Sequence, residues 1–265
     1  MMRHMPIGHF LPGQSLIHRI DARAKIISLF VLLAAIIATA TPGGYVFLIC
    51  FTAAVILLAK LPLGAVWGPL RQLGVFFIII FMMNALFFDA ADPLWSWWIF
   101  HLSTGGVAQG ANVVLRVALF IVLSNVLTCT TAPMDVTSAL ESLMRPMKIL
   151  RVPVEEVAMI ISVAIQFIPT LIEETDLIVK AQIARGARFE SKRLWEKAAS
   201  VVPLVVPIFL SAFRRADELA LAMEARGYRN ARHRTKRKRA PFQGGDFTAL
   251  LTSAAICLVQ VYVLG

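Results

Sequence analysis

Between Ile26 and Ala59 the sequence carries no charged side chain. Crossing a hydrocarbon core takes about 20 mostly apolar residues, and Pro42-Gly43-Gly44 divides this stretch in two. It therefore specifies two membrane-crossing segments joined by a tight turn, Ile26 to Thr41 and Tyr45 to Ala59, the second closed by Lys60 and Pro62. Three more runs of the same character follow: Leu73 to Phe88, Val107 to Thr131 and Phe247 to Leu264. Lipid offers backbone groups no hydrogen bonds, so isolated apolar runs of this length form helices. Composition agrees: 58% of the residues are hydrophobic, 16% are charged and mean hydropathy is +0.73, whereas soluble domains carry about 25% charge. The expected fold class is an all-α integral membrane protein of about five transmembrane helices, with further long helices at or under one surface.

Charge placement supplies an orientation. Arg3, Arg19, Arg23 and Lys25 precede the first run, Lys60 and Arg71 lie between the second and third, and the turn between the first two has no cation. The third-to-fourth loop holds Asp89 and Asp92 but no Lys or Arg. Basic loops stay cytoplasmic, which predicts a cytoplasmic N-terminus and an external C-terminus in a prokaryotic plasma membrane. Ala38-Thr39-Ala40 resembles a signal-peptidase site, but the long polar lead before it and the span after it favour an uncleaved anchor. The expected organisation is transmembrane helices over 1–131, a cytoplasmic module over 132–245 and a last span over 246–265.

The middle module is the ambiguous part. Val157 to Ile172 and Ala198 to Phe213 are uncharged and could be counted as spans. A transmembrane hairpin there would send Lys180, Arg185, Arg188, Lys192, Arg193 and Lys197 outward, against the charge rule. Long helices along or just beneath the inner leaflet, with an apolar face for lipid or protein, fit better. A shorter amphipathic helix precedes them: Pro133 and Asp135 open it, and Ala139, Leu140, Leu143, Met144 and Met147 recur at helical spacing. Met144 and Met147, together with Pro203, Val205, Val206 and Pro207 of the apolar, proline-interrupted run further on, are candidate contacts for a membrane partner.

Within this module Ala184-Arg185-Gly186 recurs as Ala225-Arg226-Gly227. Each copy closes a helix-like run, Glu173 to Ile183 and Arg214 to Glu224. Glycine can take the left-handed conformation that ends a helix, and the arginine before it then projects as a planar fork with five donors. Such a fork suits an acidic groove, binding carboxylates or backbone carbonyls. Ordinary C-capping explains one copy; two matching copies on charged helices point to two docking elements for two similar partners.

Other chemistry is thin. Cys50, Cys129 and Cys257 are far apart in apolar segments, without metal-ligand spacing. The net charge of +10 is concentrated from Arg226 to Arg239, which on a polytopic protein reads as an anchor at an anionic leaflet rather than a nucleic-acid site. No phosphate-binding loop, paired intramembrane aspartate, Ser/His arrangement or zinc-protease motif is present in the sequence, so no enzymatic activity, no metal site and no cofactor is expected of this chain. Asn112 and Arg116 share a face of the fourth span; a charge within the membrane is often functional, though a structural pair with Asp89 or Asn84 is an equal expectation beside contact with a partner. Gly106 and Gly110 have the spacing that permits close helix contact. Trp95, Trp97 and Trp98 suggest an interfacial belt, with His101 beside them in solvent.

Particular residues carry a resemblance. Leu127-Thr128-Cys129-Thr130-Thr131-Ala132-Pro133-Met134-Asp135, Val152-Pro153-Val154-Glu155-Glu156, Gln166-Phe167-Ile168-Pro169-Thr170-Leu171, the segment from Ala181 to Gly186 and that from Leu219 to Tyr228 resemble signatures of the transmembrane (T) components of energy-coupling factor transporters. The resemblance implies an uptake system in which two homologous ATPases bind ATP and magnesium, a membrane-embedded S component captures a vitamin or metal ion, and this chain couples them. It further implies that Arg185 and Arg226 each enter a groove of one ATPase. A conventional ABC importer permease, which lines the substrate path itself, is the alternative. It usually carries one coupling loop per subunit and works as a pair.

Overall fold

The computed structural model describes residues 10–87, 93–97, 100–144, 146, 153–186, 194–228, 242 and 244–262. In chain order its elements are α1 (Leu16–Arg19), α2 (Ala22–Ala38), α3 (Pro42–Ala59), α4 (Leu63–Gln72), α5 (Gly74–Phe87), β1 (Pro93–Trp97), β2 (Phe100–Ser103), α6 (Thr104–Thr130), α7 (Pro133–Leu143), α8 (Val154–Ala184), α9 (Leu194–Ala225) and α10 (Gly244–Tyr262). They fall into two compact units, one of Gly8–Ala139 with Ala240–Gly265, the other of Met1–Ile7 with Leu140–Arg239.

The first unit is a helical bundle whose helices start where short polar side chains can take up free backbone N–H groups. Asp21 Oδ1 accepts from the Arg23 amide at 2.8 Å, Thr41 Oγ1 from Gly44 at 3.4 Å and Ser103 Oγ from Gly106 at 3.1 Å. Leu32, Ile36, Tyr45, Leu48, Leu119, Leu123 and Ile256 form one buried cluster among α2, α3, α6 and α10. A second cluster joins Ala59, Leu61, Val66, Val122, Val126 and Cys129. Helices α10 and α2 run parallel: the Asp21 amide donates to Asp246 Oδ1, Ser28 Oγ to the Ala249 carbonyl, and Thr39 Oγ1 to Gln260 Oε1. Parallel first and last helices fit an odd number of crossings in this unit.

The spans predicted from the sequence are visible with shifted edges. The first becomes α2 at 17 residues, and α3, α6 and α10 are each long and apolar enough to cross a membrane. The third becomes α5 at 14 residues. Between the second and third runs only a turn was expected, yet α4 occupies that place and meets α5 at a bend of 53°. Pro69 lies inside α4 and lacks an N–H, which leaves the Ala65 carbonyl without its helical donor. Asn125 Nδ2 of α6 supplies one at 2.9 Å.

One correction concerns span four. Arg116 does not bond to Asn84, whose amide donates to the Ile80 carbonyl; Asp89 lies outside the described residues. Instead Arg116 Nη2 donates to the Thr39 carbonyl at 3.0 Å and to Tyr45 Oη at 3.3 Å. The last carbonyls of α2 need donors, and Arg116 supplies one from a neighbouring helix. Asn112 lies one turn away on α6, half-buried. The glycine spacing proves structural: a Cβ at Gly106 would stand 2.9 Å from the Ala85 carbonyl oxygen, and one at Gly110 3.1 Å from that of Phe81. Helix α5 packs against α6 at van der Waals distance because those side chains are missing.

The all-α expectation gains one small addition. Strands β1 and β2 pair antiparallel, with Trp95 opposite Leu102 and Trp97 opposite Phe100. Trp98 and the side chains of Trp95, Trp97 and His101 lie outside what is described.

Candidate docking site on a helical hairpin

In the second unit, α8 and α9 are 31 and 32 residues long. The uncharged run at 157–172 and the charged run after it are one continuous helix, and so are 198–213 and its continuation. Pro169 sits inside α8, and Pro203 and Pro207 inside α9. By length and composition α8 could cross a membrane, yet only 6% of its most apolar window is buried within the chain.

The two helices run antiparallel and touch through polar side chains. Gln182 Nε2 donates to the Pro203 carbonyl at 3.4 Å. Pro207 has no N–H to offer that carbonyl, so Gln182 supplies the missing donor, as Asn125 does for Ala65. Near the middle, Glu174 accepts from Ser211 Oγ and from Arg215 Nη2, the latter at 3.3 Å, and the Arg215 guanidinium lies 5.8 Å from the Phe167 ring centroid. Both partners of this ion pair keep about a third of their side-chain surface in solvent, 33% and 30%, which limits the pair to about 1 kcal/mol. At the far end Tyr228 Oη lies 3.1 Å from Met159 Sδ.

Each Ala-Arg-Gly closes its helix through a left-handed glycine, at φ +92° for Gly186 and +74° for Gly227. The Gly227 amide donates to the Glu224 carbonyl and the Tyr228 amide to that of Met223, the two bonds of a Schellman closure. At the first copy the Gly186 amide bonds to the Ile183 carbonyl. Nothing lies within 4 Å of a Cβ built on either glycine, so backbone conformation alone demands glycine there. Arg185 and Arg226 are exposed, as are Ala184 and Ala225.

The antiparallel course sets the two arginines at opposite ends of the hairpin. Tyr228, beside the second motif, is level with Met159, so the two motifs stand about 40 Å apart along the hairpin at helical rise. Of the other candidate contacts, Pro203, Val205 and Val206 are exposed on α9, Pro207 is half-buried and Met144 is half-buried beyond α7. Met147 lies outside the described residues. No structural role for Gln182, Tyr228 or Asn125 was evident in the sequence. For two of them a signal was nevertheless available: a proline inside a helix orphans the carbonyl four residues earlier, and an amide side chain must be sought to satisfy it.

A helical bundle with several helices long and apolar enough to cross a membrane, carrying in the same chain a long helical hairpin with two exposed arginine caps, is the architecture of an all-α integral membrane protein. A family profile described as CbiQ, cobalt transport protein, matches residues 13–237. The energy-coupling factor transporter transmembrane protein EcfT of Ruminiclostridium cellulolyticum is 39% identical over 266 residues, covering 100% of this chain and 98% of that protein. Its namesake from Bacillus subtilis is 37% identical over 264 residues, with 100% and 99% covered. That from Thermosediminibacter oceani is 40% identical over 262 residues, with 98% of each chain covered. The chain belongs to this family of energy-coupling factor transmembrane components.

Proposed function

We propose that this chain is the scaffold that couples two ATPase subunits to a substrate-binding S component, using Ala184-Arg185-Gly186 and Ala225-Arg226-Gly227 as its two ATPase contacts. The observation that carries the reading is the placement of two exposed arginines, each on a left-handed cap, at opposite ends of one antiparallel hairpin. Two similar ATPases side by side present two similar grooves, and a strut of about 40 Å can reach both. ATP and magnesium are bound by those partners; this chain contributes no catalytic group. The hairpin lies on the cytoplasmic side, with the N-terminus inside and the C-terminus outside. Movement of the two ATPases shifts the ends of α8 and α9, and the exposed apolar residues Val205 and Val206, with Pro203 and Pro207, pass that movement to the S component. Met144 and Met147 extend the same contact. The substrate, a vitamin or a metal ion, is chosen by the S component.

Charge reversal tests the docking. Arg185→Glu combined with Arg226→Glu releases both ATPases from the purified complex while the membrane fold persists, and each single reversal weakens assembly less. Removing one partner of a buried, hydrogen-bonded charge pair costs about 2–5 kcal/mol. Normal recovery of both ATPases with the double variant would reduce the motifs to helix caps. Counting chains in the intact complex separates the scaffold, one copy with two ATPases, from a conventional permease pair.

A further inference from the structure

Helix α4 is a helix that its own sequence disfavours. Leu63–Gln72 holds Gly64, Gly68 and Pro69 within ten residues, and glycine and proline are the poorest helix formers. One side of it is secured to the bundle: Val66, 8% exposed, joins the second buried cluster, and the Ala65 carbonyl is held by Asn125. The other side is exposed among the described residues. Leu63, Gly64, Trp67, Gly68 and Arg71 recur at helical spacing and all are exposed, Leu63 at 77% and Trp67 at 68%. A Cβ built on either glycine would touch no atom within 4 Å. Lys60, three residues before Leu63, is exposed at the cap of α3. The free face is thus flat and apolar at its centre, with a cation beyond each end.

We propose that this face lies in the interfacial layer of the membrane. Leu63 and Trp67 rest among the upper acyl chains, and Lys60 and Arg71 rest on phosphates of anionic phospholipids. Three observations favour lipid over a protein partner. First, Asn125 is five residues from the end of α6 at Thr130, about 8 Å, so α4 packs where that span leaves the membrane. Second, the 53° bend between α4 and α5 turns the chain from a spanning course toward another direction, as an interfacial helix feeding a span requires. Third, tryptophan and flanking cations are the side chains that the interface accepts best. A poorly propagating segment also gains helix there, because an unpaired backbone amide is costlier beside hydrocarbon than in water.

The test uses the full-length chain in nanodiscs of phosphatidylcholine, with or without phosphatidylglycerol, and single nitroxide labels at Leu63→Cys, Trp67→Cys or Val66→Cys after replacing Cys50, Cys129 and Cys257. Labels at 63 and 67 are expected to relax with oxygen and resist a water-soluble nickel chelate, while that at 66 resists both. Phosphatidylglycerol should raise the oxygen-to-nickel ratio at 67, and Lys60→Gln with Arg71→Gln should abolish that rise. Unlabelled chain should retain phosphatidylglycerol in native mass spectrometry and lose it in the same double variant. Nickel access at 63 and 67 in both lipids would overturn the proposal. So would nickel access that disappears only when the ATPases and S component are added, since that marks a protein-docking face. Indifference to phosphatidylglycerol in both measurements would remove the anionic headgroup from it.

Discussion

Lys25 Nζ donates to the Thr130 carbonyl oxygen across 2.9 Å and to Thr131 Oγ1 across 3.3 Å, so a cation from the first turn of α2 closes the C-terminus of α6. The converse holds at the other end, where Arg116 of α6 closes the C-terminus of α2 at Thr39. Each helix carries the positive charge that its antiparallel neighbour needs at its negative end. On both helices the cation and the capped carbonyl are fourteen positions apart, about 21 Å, so the two contacts form together only in one register.

Arg116→Leu should therefore lower thermal stability in mild detergent by the equivalent of about 1–3 kcal/mol, because the buried Thr39 carbonyl loses its charged donor and keeps only the Tyr45 hydroxyl at 3.2 Å. Lys25→Met should do the same, because Lys25 is only 9% exposed. Unfolding followed by fluorescence checks both, and unchanged midpoints would show that water or lipid replaces these donors freely.

Gly106→Val and Gly110→Val should force α5 away from α6. Even a Cβ at Gly106 meets the Ala85 carbonyl at 2.9 Å, and backbone yields less readily than a side chain. Overpacking typically costs about 1–3 kcal/mol. A cysteine pair engineered across the two helices should crosslink more slowly in these variants, whereas Gly64→Ala, with open space around it, should leave the rate alone.

Asn125→Leu should cost more than Gln182→Leu, although both remove a donor from a carbonyl freed by proline. The Asn125 bond is part-buried at 2.9 Å, and the Gln182 bond is exposed at 3.4 Å, so water can replace the second but not the first. Melting curves of the two single variants decide the order; equal losses would mean that the Ala65 carbonyl is wet.

Val205→Asp and Val206→Asp should leave the ATPases bound and hydrolysing while uptake falls, measured in reconstituted vesicles. Each places a charge on a face proposed to move against a membrane partner, where it is unfavourable unless it reaches water. Full uptake by both variants would turn this face elsewhere, and loss of the ATPases would make it part of the hairpin's own packing.

A single cysteine at Lys180, in a background without the native three, should resist an impermeant thiol reagent applied outside intact cells. Labelling there would restore α8 as a span.

Long apolar runs announced α3, α6 and α10 because nothing but a helix satisfies their backbone in lipid. The two glycine caps were equally open to inspection, since an Ala-Arg-Gly after a charged helical run leaves few other conformations. Helix α4 was hidden: Gly64, Gly68 and Pro69 imitate a turn, and what orders the segment is its packing on α6, which lies some sixty positions away in sequence. Arg116 was paired in expectation with carboxylate or amide side chains, whereas its actual acceptors are a carbonyl and a phenol reached through the α2–α3 turn. Charge pairing can be sought in a sequence. The vacant carbonyl at a helix end, which any residue can provide, cannot.

Two antiparallel helices of nearly equal length have a two-fold axis through their midpoint, here close to Glu174 and Ser211. Rotation about that axis exchanges the end at Arg185 with the end at Arg226. One chain therefore shows its surroundings a locally symmetric pair of arginines. A pseudo-symmetric pair of partners could engage it as though it were a dimer, while everything beyond the hairpin stays free to be asymmetric and to face a single companion in the membrane.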